Sequence, residues 1–412
     1  MDQSQSKKTR YVVAGLCGLA LLLVIGWLAL RKSPPPSPDL PPARAVTVSP
    51  RAPLFASNNA APPETSTNPV AELSAIPTNA ATIYRQAFAI FDALSQDQKD
   101  SLNNWRTNVD ATEAAELCDK IQPICDLMHQ AAAVSNCDWG VEQPMTFDTF
   151  LPHLNPCRGL ARAAVWSAAH CRTNDPTAAV DDLVATSRLG QNLSSSALIG
   201  HMVDLAIQGL VIDSVTEHAS MLGSAGDTRL MKLLNNVNYD ESLRHAYEQE
   251  ADMVTGLADK LAAMPPEEAM HQMMPTSNGF AASQIQPAGL AQAIKEMRQV
   301  AELEKQFSKA LELPDAEYRA WMNNLDAIRK TNPYIDALFS PAEGAVIRTQ
   351  AMTVKSAMAA AGLAVTQTGT DALQSHPDPT TGQPFAYKKT ADGFELESSF
   401  QVAQKPLSLS FK

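Results

Sequence analysis

The chain has 412 residues, of which 45% are apolar and 18% are charged, a composition that suits folded domains and excludes a wholly disordered protein. Its formal net charge of −12 argues against a nucleic-acid partner, because an acidic surface repels the phosphate backbone. Aromatic residues make up only 6% of the chain and there are 18 glycines, which favours helices over a β-sandwich or a propeller.

An uncharged segment lies close to the N-terminus, from Tyr11 to Leu30, with the sequence "YVVAGLCGLALLLVIGWLAL". A helix of this length spans about 30 Å, which is the thickness of the hydrocarbon core of a bilayer. The alternative is a cleaved signal peptide, but the run is longer than a usual signal core and no small-x-small cleavage site follows closely. The sequence therefore predicts an uncleaved transmembrane anchor at 11–30, behind an N-terminal tail at 1–10.

The orientation of this anchor is less clear from charge, because lysines and arginines nearly balance on its two sides. A short tail before a single anchor favours a cytoplasmic N-terminus and an exported C-terminal domain. Residues 31–78 follow as a predicted linker, in which the stretch from Ser33 to Pro77 holds 12 of the 28 prolines and no glycine. Proline favours extended backbone, so this linker is expected to be a fairly stiff spacer.

Apolar residues recur at helical spacing from residue 79 onward, and prolines and capping residues separate the segments. The pattern predicts an antiparallel multi-helix domain at 79–263, a loop rich in methionine and proline at 264–289, and a further helical segment at 290–363. Pro341 is taken as the start of the last of these helices. The most apolar segment after the anchor, Ser195 to about Met221, contains Asp204 and Asp213, which favours a buried helix over a second membrane span.

The C-terminal residues 364–412 have a different character from the helical part. Phe385 and Tyr387 alternate with polar residues, "TADG" provides a turn, and Phe394 and Leu396 alternate again. This pattern predicts a small two-stranded β-hairpin followed by a tail. Because two strands alone are marginally stable, the aromatic face of the hairpin is expected to pack on the helices. The predicted fold class is thus mainly α with a C-terminal hairpin.

Several stretches together resemble a family of uncharacterised bacterial membrane-anchored helical envelope proteins. The resemblance rests on the N-terminal anchor, "CDWG" followed by "LPHL", the helix pair around "DPTAAVDDLVATSRLGQNL", and the ending "DPTTGQPFAYKKTADGF". It implies an inner-membrane protein with an exported, periplasmic domain, and it implies no catalytic residues. Relatives often continue into a glycine- and aspartate-rich tail, whereas this chain ends in "ESSFQVAQKPLSLSFK".

Catalytic motifs such as GxGxxG, a Walker loop, GxSxG, HExxH and CxxC do not occur in the sequence, so no cofactor is expected. One weak candidate for a metal or acid–base site combines His201 and Asp204 with Glu241 and His245, on two predicted helices. The alternative is a buried polar network that satisfies its own hydrogen bonds. A single Glu-x-x-His within 264–289 is a weaker candidate, because a di-iron bundle needs two such motifs. The methionines of the same segment could be soft-metal ligands, but packing over the core is favoured.

Five cysteines outside the anchor lie within one short stretch, at Cys118, Cys125, Cys137, Cys157 and Cys171. In an exported domain such grouping predicts disulfides, and helix geometry prevents a bridge within either predicted helix. The expected pairs are Cys137 with Cys157, and Cys171 with Cys118 or Cys125. The alternative is that all five are small buried core residues.

The sequence leads to four hypotheses for function. The first is a non-catalytic scaffold or binding protein of the cell envelope, held by one membrane helix and contacting an envelope protein partner. The others are a helical-repeat adaptor for an envelope complex, a metal-dependent enzyme that uses the inter-helix His/Asp/Glu set, and a pilin-like secretion component. A pilin-like leader with a Gly-Phe cleavage site is missing, which disfavours the last.

Overall fold

A computed structural model of the chain describes residues 78–107, 109–141, 151–194, 197–224, 228–273, 287–331 and 333–412. The predicted N-terminal tail, the anchor and the linker up to residue 77 lie outside these residues. The described part is mainly helical, with a small antiparallel sheet at its C-terminal end.

Three helices open the described part, and each begins at a side-chain cap. Asn79 accepts a hydrogen bond from the amide of Ala81, Ser95 forms a capping box with Gln98, and Asp110 accepts from the amide of Thr112. Such caps satisfy amide groups that have no partner within the helix, and they set where it begins. The helices are α1 (Ala80–Asp92), α2 (Gln96–Asn103) and α3 (Ala111–Ala132).

The next helices form the most buried part of the domain. They are α4 (Leu154–Trp166), continued by a π-helical turn (Ser167–Cys171), α5 (Pro176–Gln191) and α6 (Ala197–Glu217). The start of α5 is set by local sequence, since Asp175 caps it and Pro176 occupies its first position. Among the described helices, α6 is long and apolar enough to cross a membrane, but it is mostly buried among its neighbours, as its two acidic residues predicted.

Seven further α-helices follow in the described residues: α7 (Ala219–Ser224), α8 (Thr228–Asn236), α9 (Tyr239–Ala263), α10 (Pro266–Met273), α11 (Pro287–Ala310), α12 (Asp315–Thr331) and α13 (Pro333–Thr368). A short 3-10 helix (Thr370–Ser375) comes before the sheet. Part of the predicted loop at 264–289 is therefore the helix α10, which has Pro266 at its first position and Glu267 and Glu268 in its first turn. Residues 274–286 lie outside the described part.

The longest helix, α13, also differs from the prediction, because Pro341 lies inside it and does not start it. A proline within a helix removes one backbone hydrogen bond at a cost of about 3 kcal/mol. Ile335 on one side of Pro341 and Ala345 and Val346 on the other are buried in the same apolar core. Burial on both sides of the proline offsets that cost, and local sequence signals do not reveal it.

The helix α13 joins two apolar cores. Its early residues Ala345 and Val346 belong to the core between α9, α11 and α12, which we call the second core. Its later residues Met352, Ala359 and Leu363 belong to the larger core built by α1–α8. Since α13 packs against helices far from it in sequence, including α6, α8 and α9, the architecture differs from a repeat array in which each unit contacts only its neighbours.

The C-terminal sheet has three antiparallel strands in the order β1 (Ala386–Lys389), β2 (Phe394–Val402) and β3 (Lys405–Phe411). The predicted hairpin corresponds to β1 and β2, whereas the predicted tail forms the third strand. Between β2 and β3, Ala403 and Gln404 both have positive φ, of 50° and 64°, as a two-residue hairpin turn requires. This turn was missed because neither glycine nor asparagine, the usual residues for positive φ, marks it.

One face of the sheet packs on α13. Phe385, Phe394, Leu396 and Phe411 are buried there, while Tyr387, which was also expected on this face, is 40% exposed. The contact depends on Gly362, because a Cβ atom at this position would lie 2.1 Å from the ring of Phe411. The sheet therefore closes the C-terminal end of the helical domain.

A single aspartate holds the "DPTTG" turn to the sheet. The Asp378 carboxylate accepts hydrogen bonds from the amide and hydroxyl of Thr380, from the Ser398 hydroxyl at 2.6 Å and from the amide of Ser399. Burial acts to raise the pKa of Asp378, but these donors outweigh it and the net pKa is lowered. The turn is thus fastened to β2 by an ionised side chain.

Candidate functional site

The four residues of the predicted inter-helix site do not converge. His201 and Asp204 are buried on α6. Glu241 is exposed at the start of α9, where its side chain accepts a hydrogen bond from Asn238, and His245 is 52% exposed beside Glu248. In the part of the chain that the structure describes, no group of three or more His, Cys, Asp or Glu side chains is arranged to hold a metal ion.

His201 lies in a chain of hydroxyl groups that joins three helices. Its Nδ1 is 2.8 Å from Ser242 Oγ on α9, and its Nε2 is 2.9 Å from Thr349 Oγ1 on α13. Burial lowers the pKa of His201 to about 4, so the imidazole is neutral near pH 7. A neutral imidazole donates one hydrogen bond and accepts one, and these two hydroxyls satisfy both nitrogens.

Asp204 belongs to a separate network between α5 and α6. Gln208 donates to Asp204 Oδ1 at 2.8 Å, accepts from Ser187 Oγ at 2.7 Å and donates to the Ser187 carbonyl at 3.0 Å. Burial raises the pKa of Asp204 to about 7, against the opposing effect of the Gln208 hydrogen bond. The helices approach closely here, since a Cβ atom on Gly190 would lie 2.5 Å from Asp204 Oδ1.

These two networks fit the alternative in which His201 and Asp204 are buried polar residues that form hydrogen bonds within the protein. Both side chains are buried, each is engaged by neighbouring side chains, and they lie on one helix with different partners. Tyr239 and Ser356 form a third buried contact, at 3.0 Å between the two hydroxyl oxygens, that links α9 to α13. The arrangement ties four helices together through polar contacts.

A further buried carboxylate, which the sequence reasoning missed, lies at the centre of a polar group in the domain. The side chain of Asp182 on α5 is fully buried. Its Oδ2 accepts from Ser167 Oγ at 2.7 Å and lies 3.4 Å from Arg172 Nε, while its Oδ1 lies 2.8 Å from His129 Nε2. The last contact is a close approach without hydrogen-bond alignment. Arg172 also donates to Gln122 Oε1 at 2.5 Å.

The Asp182 group contains the side-chain types of a serine hydrolase, but their order differs from a catalytic relay. In a relay the serine hydroxyl donates to the histidine, and the aspartate orients the histidine. Here Ser167 donates to Asp182 directly, so no imidazole is placed to take its proton. The group therefore acts as a polar connection between α3, the π-helical turn and α5. Its sequence signal is the spacing of four, three and four along α3, in the set Cys118, Gln122, Cys125 and His129.

One disulfide also joins α3 to the π-helical turn. It links Cys118 and Cys171, with a Cα–Cα distance of 5.7 Å. Cys125, Cys137 and Cys157 are free thiols. The expected bridge between Cys137 and Cys157 is thus absent. The loop that carries Cys137 is bonded to the start of α1 instead, because Asn79 and Asp138 exchange two hydrogen bonds of 2.8 and 2.9 Å.

Two weaker hypotheses concern the segment 264–289. The side chains of Met270, His271, Met273 and Met274 lie outside the described part of the chain, so the Glu-x-x-His and methionine hypotheses stay predictions. No protein-family model, curated protein or solved structure matches this chain. The resemblance to bacterial envelope proteins likewise remains a prediction from the sequence.

Proposed function

We propose that the chain is a membrane-tethered scaffold or binding protein of the bacterial cell envelope, with its helical domain exported. The observation that carries this proposal is the disulfide between Cys118 and Cys171, two partly exposed cysteines on separate elements. Disulfides form and persist in oxidising compartments and are rare in the cytosol. The uncharged segment at 11–30 then serves as the anchor, and the orientation that charge left open is the one with the domain outside.

A non-catalytic role is supported by the buried polar side chains. His201 bonds to side chains on two other helices, and Asp182 bonds to Ser167 in the π-helical turn. Asp204 bonds to Gln208 on its own helix, and Gln208 bonds in turn to Ser187 on α5. Their partners are protein groups that hold helices together, and the four residues of the enzyme hypothesis lie apart. The scaffold hypothesis is also favoured over the repeat adaptor, because α13 packs against helices distant in sequence.

The linker sets how far such a domain acts from the membrane. The residues from Ser33 to Pro77 would reach about 40 Å as a flexible coil and about 140 Å when fully extended. The proline content favours the extended part of this range. The domain would therefore meet its partner at a distance from the membrane surface.

The disulfide gives a direct test of location. The protein is alkylated inside its native cells and again after denaturation. We expect Cys118 and Cys171 to stay unreactive toward the reagent until a reductant is added, because they are bonded to each other. In a Cys118→Ser variant, Cys171 should become alkylatable without a reductant. Cys137→Ser is the matched control, since Cys137 is a free thiol and its loss should leave the pair intact. Alkylation of both Cys118 and Cys171 without reduction would remove the main support for export.

The binding role is tested by photocrosslinking in the same cells. A crosslinkable amino acid is placed at each large apolar residue that is exposed in the described part, namely Leu313, Ile347 and Tyr387. We expect one of these positions to yield a specific adduct in the membrane fraction, since apolar residues are frequent in interface centres. The controls are exposed polar positions a few residues away or next in the chain, namely Lys309, Arg348 and Lys388. Adducts at none of the three, or equally at the controls, would contradict a binding role on these faces.

A further inference from the structure

Two glutamates and a tyrosine lie together in the second core, between α9 and α11. Tyr247 and Glu250 are three residues apart on α9, and Glu304 and Phe307 are three apart on α11, so each pair shares one helix face. The rings of Tyr247 and Phe307 meet edge to face with centroids 4.7 Å apart. This ring contact places the two helix faces against each other. The carboxyl groups of Glu250 and Glu304 and the phenol of Tyr247 therefore lie in the same layer of the interface between α9 and α11.

Glu304 and Tyr247 are buried with few hydrogen-bond partners, and Glu250 is partly buried. Glu304 is 6% exposed and its Oε2 has no hydrogen-bond partner within the described residues. Tyr247 is 3% exposed, and its hydroxyl also has no hydrogen-bond partner within the described residues. Glu250 Oε1 accepts the backbone amide of Leu198 at 3.0 Å, and Leu198 is the second residue of α6. Glu250 therefore caps α6 from another helix.

Among the described residues, no ion pair joins a basic side chain to Glu250 or Glu304. The nearby basic side chains of α9 and α11 are engaged in ion pairs at the partly exposed rim of the interface: Arg244–Glu312, Lys305–Asp252 and Arg298–Asp259. From α12, Tyr318 interacts electrostatically with Tyr247. From α13, the side chains in this core are the apolar Ala345 and Val346, while Arg348 is exposed. The N-terminus of α6 contributes a partial positive charge only.

We propose that Glu250 and Glu304 form a proton-binding site that holds α9, α11 and the start of α6 together while protonated, and loosens this interface when the proton is released to water. A buried and a partly buried carboxylate without a cation repel each other and are poorly solvated, so a shared layer of this kind is most stable when at least one carboxyl is neutral. The protonated carboxyl also supplies a donor, which the unpartnered oxygens of this layer lack.

The pKa values agree with the geometry. Burial raises the pKa of Glu250 to about 7, against the opposing hydrogen bond from Leu198. Burial also raises the pKa of Glu304 well above its usual value, and the charge of Glu250 raises it further. A carboxyl whose folded pKa is raised contributes stability that is complete below its unfolded pKa and is lost as pH rises through the folded value. The domain should thus become less stable as the pH rises from mildly acid to mildly alkaline.

The test compares full-length wild type with Glu304→Gln and with Glu302→Gln, a matched control on an exposed position of α11. Thermal midpoints are measured at about pH 6.5 and about pH 8.5, a range above the folded pKa of His201. We expect the midpoint of wild type and of Glu302→Gln to fall by about 5 °C, and that of Glu304→Gln by less than half as much. Asp204 also makes the thermal midpoint fall as the pH rises, because its pKa is raised as well. It is present in all three proteins, so the difference between wild type and Glu304→Gln reports on Glu250 and Glu304 alone.

Hydrogen exchange at the amide of Leu198 reports the proposed opening. In wild type, its rate should rise by about tenfold more between the two pH values than base catalysis alone predicts, and this excess should be absent in Glu304→Gln. Should Glu304→Gln fail to fold, Glu250→Gln takes its place, since a glutamine oxygen can still accept the Leu198 amide. Equal pH dependence in wild type and in the glutamine variants of the pair would overturn the proposal.

A metal cation is the competing occupant for two carboxylates, and one further measurement separates it from a proton. Wild type at the alkaline pH is titrated with Mg²⁺ or with Ca²⁺, beside Glu304→Gln. A rise of the thermal midpoint that only wild type displays would assign the site to a metal and overturn the assignment to a proton. The expected result is no difference between the two proteins. These measurements are made on the full-length protein in detergent and need neither a lipid membrane nor a partner, so their outcome is independent of the proposed envelope role.

Discussion

Replacing Phe411 with alanine is expected to lower the free energy of unfolding by about 4 kcal/mol, which lies within the range for truncation of a buried aromatic side chain. The ring is fully buried, stacks on Phe394 with centroids 4.8 Å apart, and packs over the bare backbone of Gly362 on α13. Its removal leaves a cavity between the sheet and the helix, which the rigid helix cannot fill. The midpoint of denaturant unfolding, followed by circular dichroism, measures the loss.

Tyr387→Ala is the matched control for this prediction. Tyr387 also stacks on Phe394, with centroids 5.5 Å apart, but it is 40% exposed. Its truncation should therefore cost less than about 1.5 kcal/mol. An equal loss in both variants would show that burial against α13 is not what stabilises the sheet. An unchanged midpoint for Phe411→Ala would mean that the third strand is not part of the cooperative fold.

Asp182→Ala is expected to destabilise the domain by about 3–5 kcal/mol, because it removes the anion of a buried ion pair and leaves its partners in place. Arg172 loses a carboxylate at 3.4 Å, His129 loses one at 2.8 Å, and the Ser167 hydroxyl loses its acceptor. These partners come from α3 and from the π-helical turn, so the contact between them and α5 should weaken. Chemical denaturation at neutral pH measures the change.

The control for Asp182 is an aspartate in an exposed ion pair. Asp213 lies 2.8 Å from Arg106, but the two side chains are 44% and 53% exposed. Exposed pairs of this kind contribute about 1 kcal/mol or less, so Asp213→Ala should have a small effect. A small effect of Asp182→Ala as well would mean that Arg172 and His129 find water or other acceptors, and that the group does not hold the three elements together.

Much of the helical architecture was predictable because its signals are local. Asp175 and Pro176 mark the start of α5 within two residues, and the aspartates of α6 distinguish a buried helix from a membrane span. The turn between β1 and β2 was also recognisable, since "TADG" separates two alternating segments. In each case the residues that carry the signal lie within one or two turns of the element that they define.

The candidate site was less predictable, since it depends on which helices meet. His201 and Asp204 were correctly placed on one helix, but Glu241 and His245 were expected to face them and instead face solvent. The helix period constrains faces within one helix, and it does not specify the rotation of the next helix about its own axis. Glu250, on the same helix, contacts the start of α6, and no sequence spacing singles it out for this contact.

The sequence by itself determined the mainly helical class and some helix starts, such as that of α5, because caps, prolines and apolar periodicity act over a few residues. Only the tertiary structure decided that Cys171 pairs with Cys118, that Ala403 and Gln404 turn the chain into a third strand, and that α13 continues through Pro341. Each of these outcomes balances a local cost against burial or bonding with residues that are distant in sequence. That balance is a property of the packed chain, and it is not encoded in any single segment.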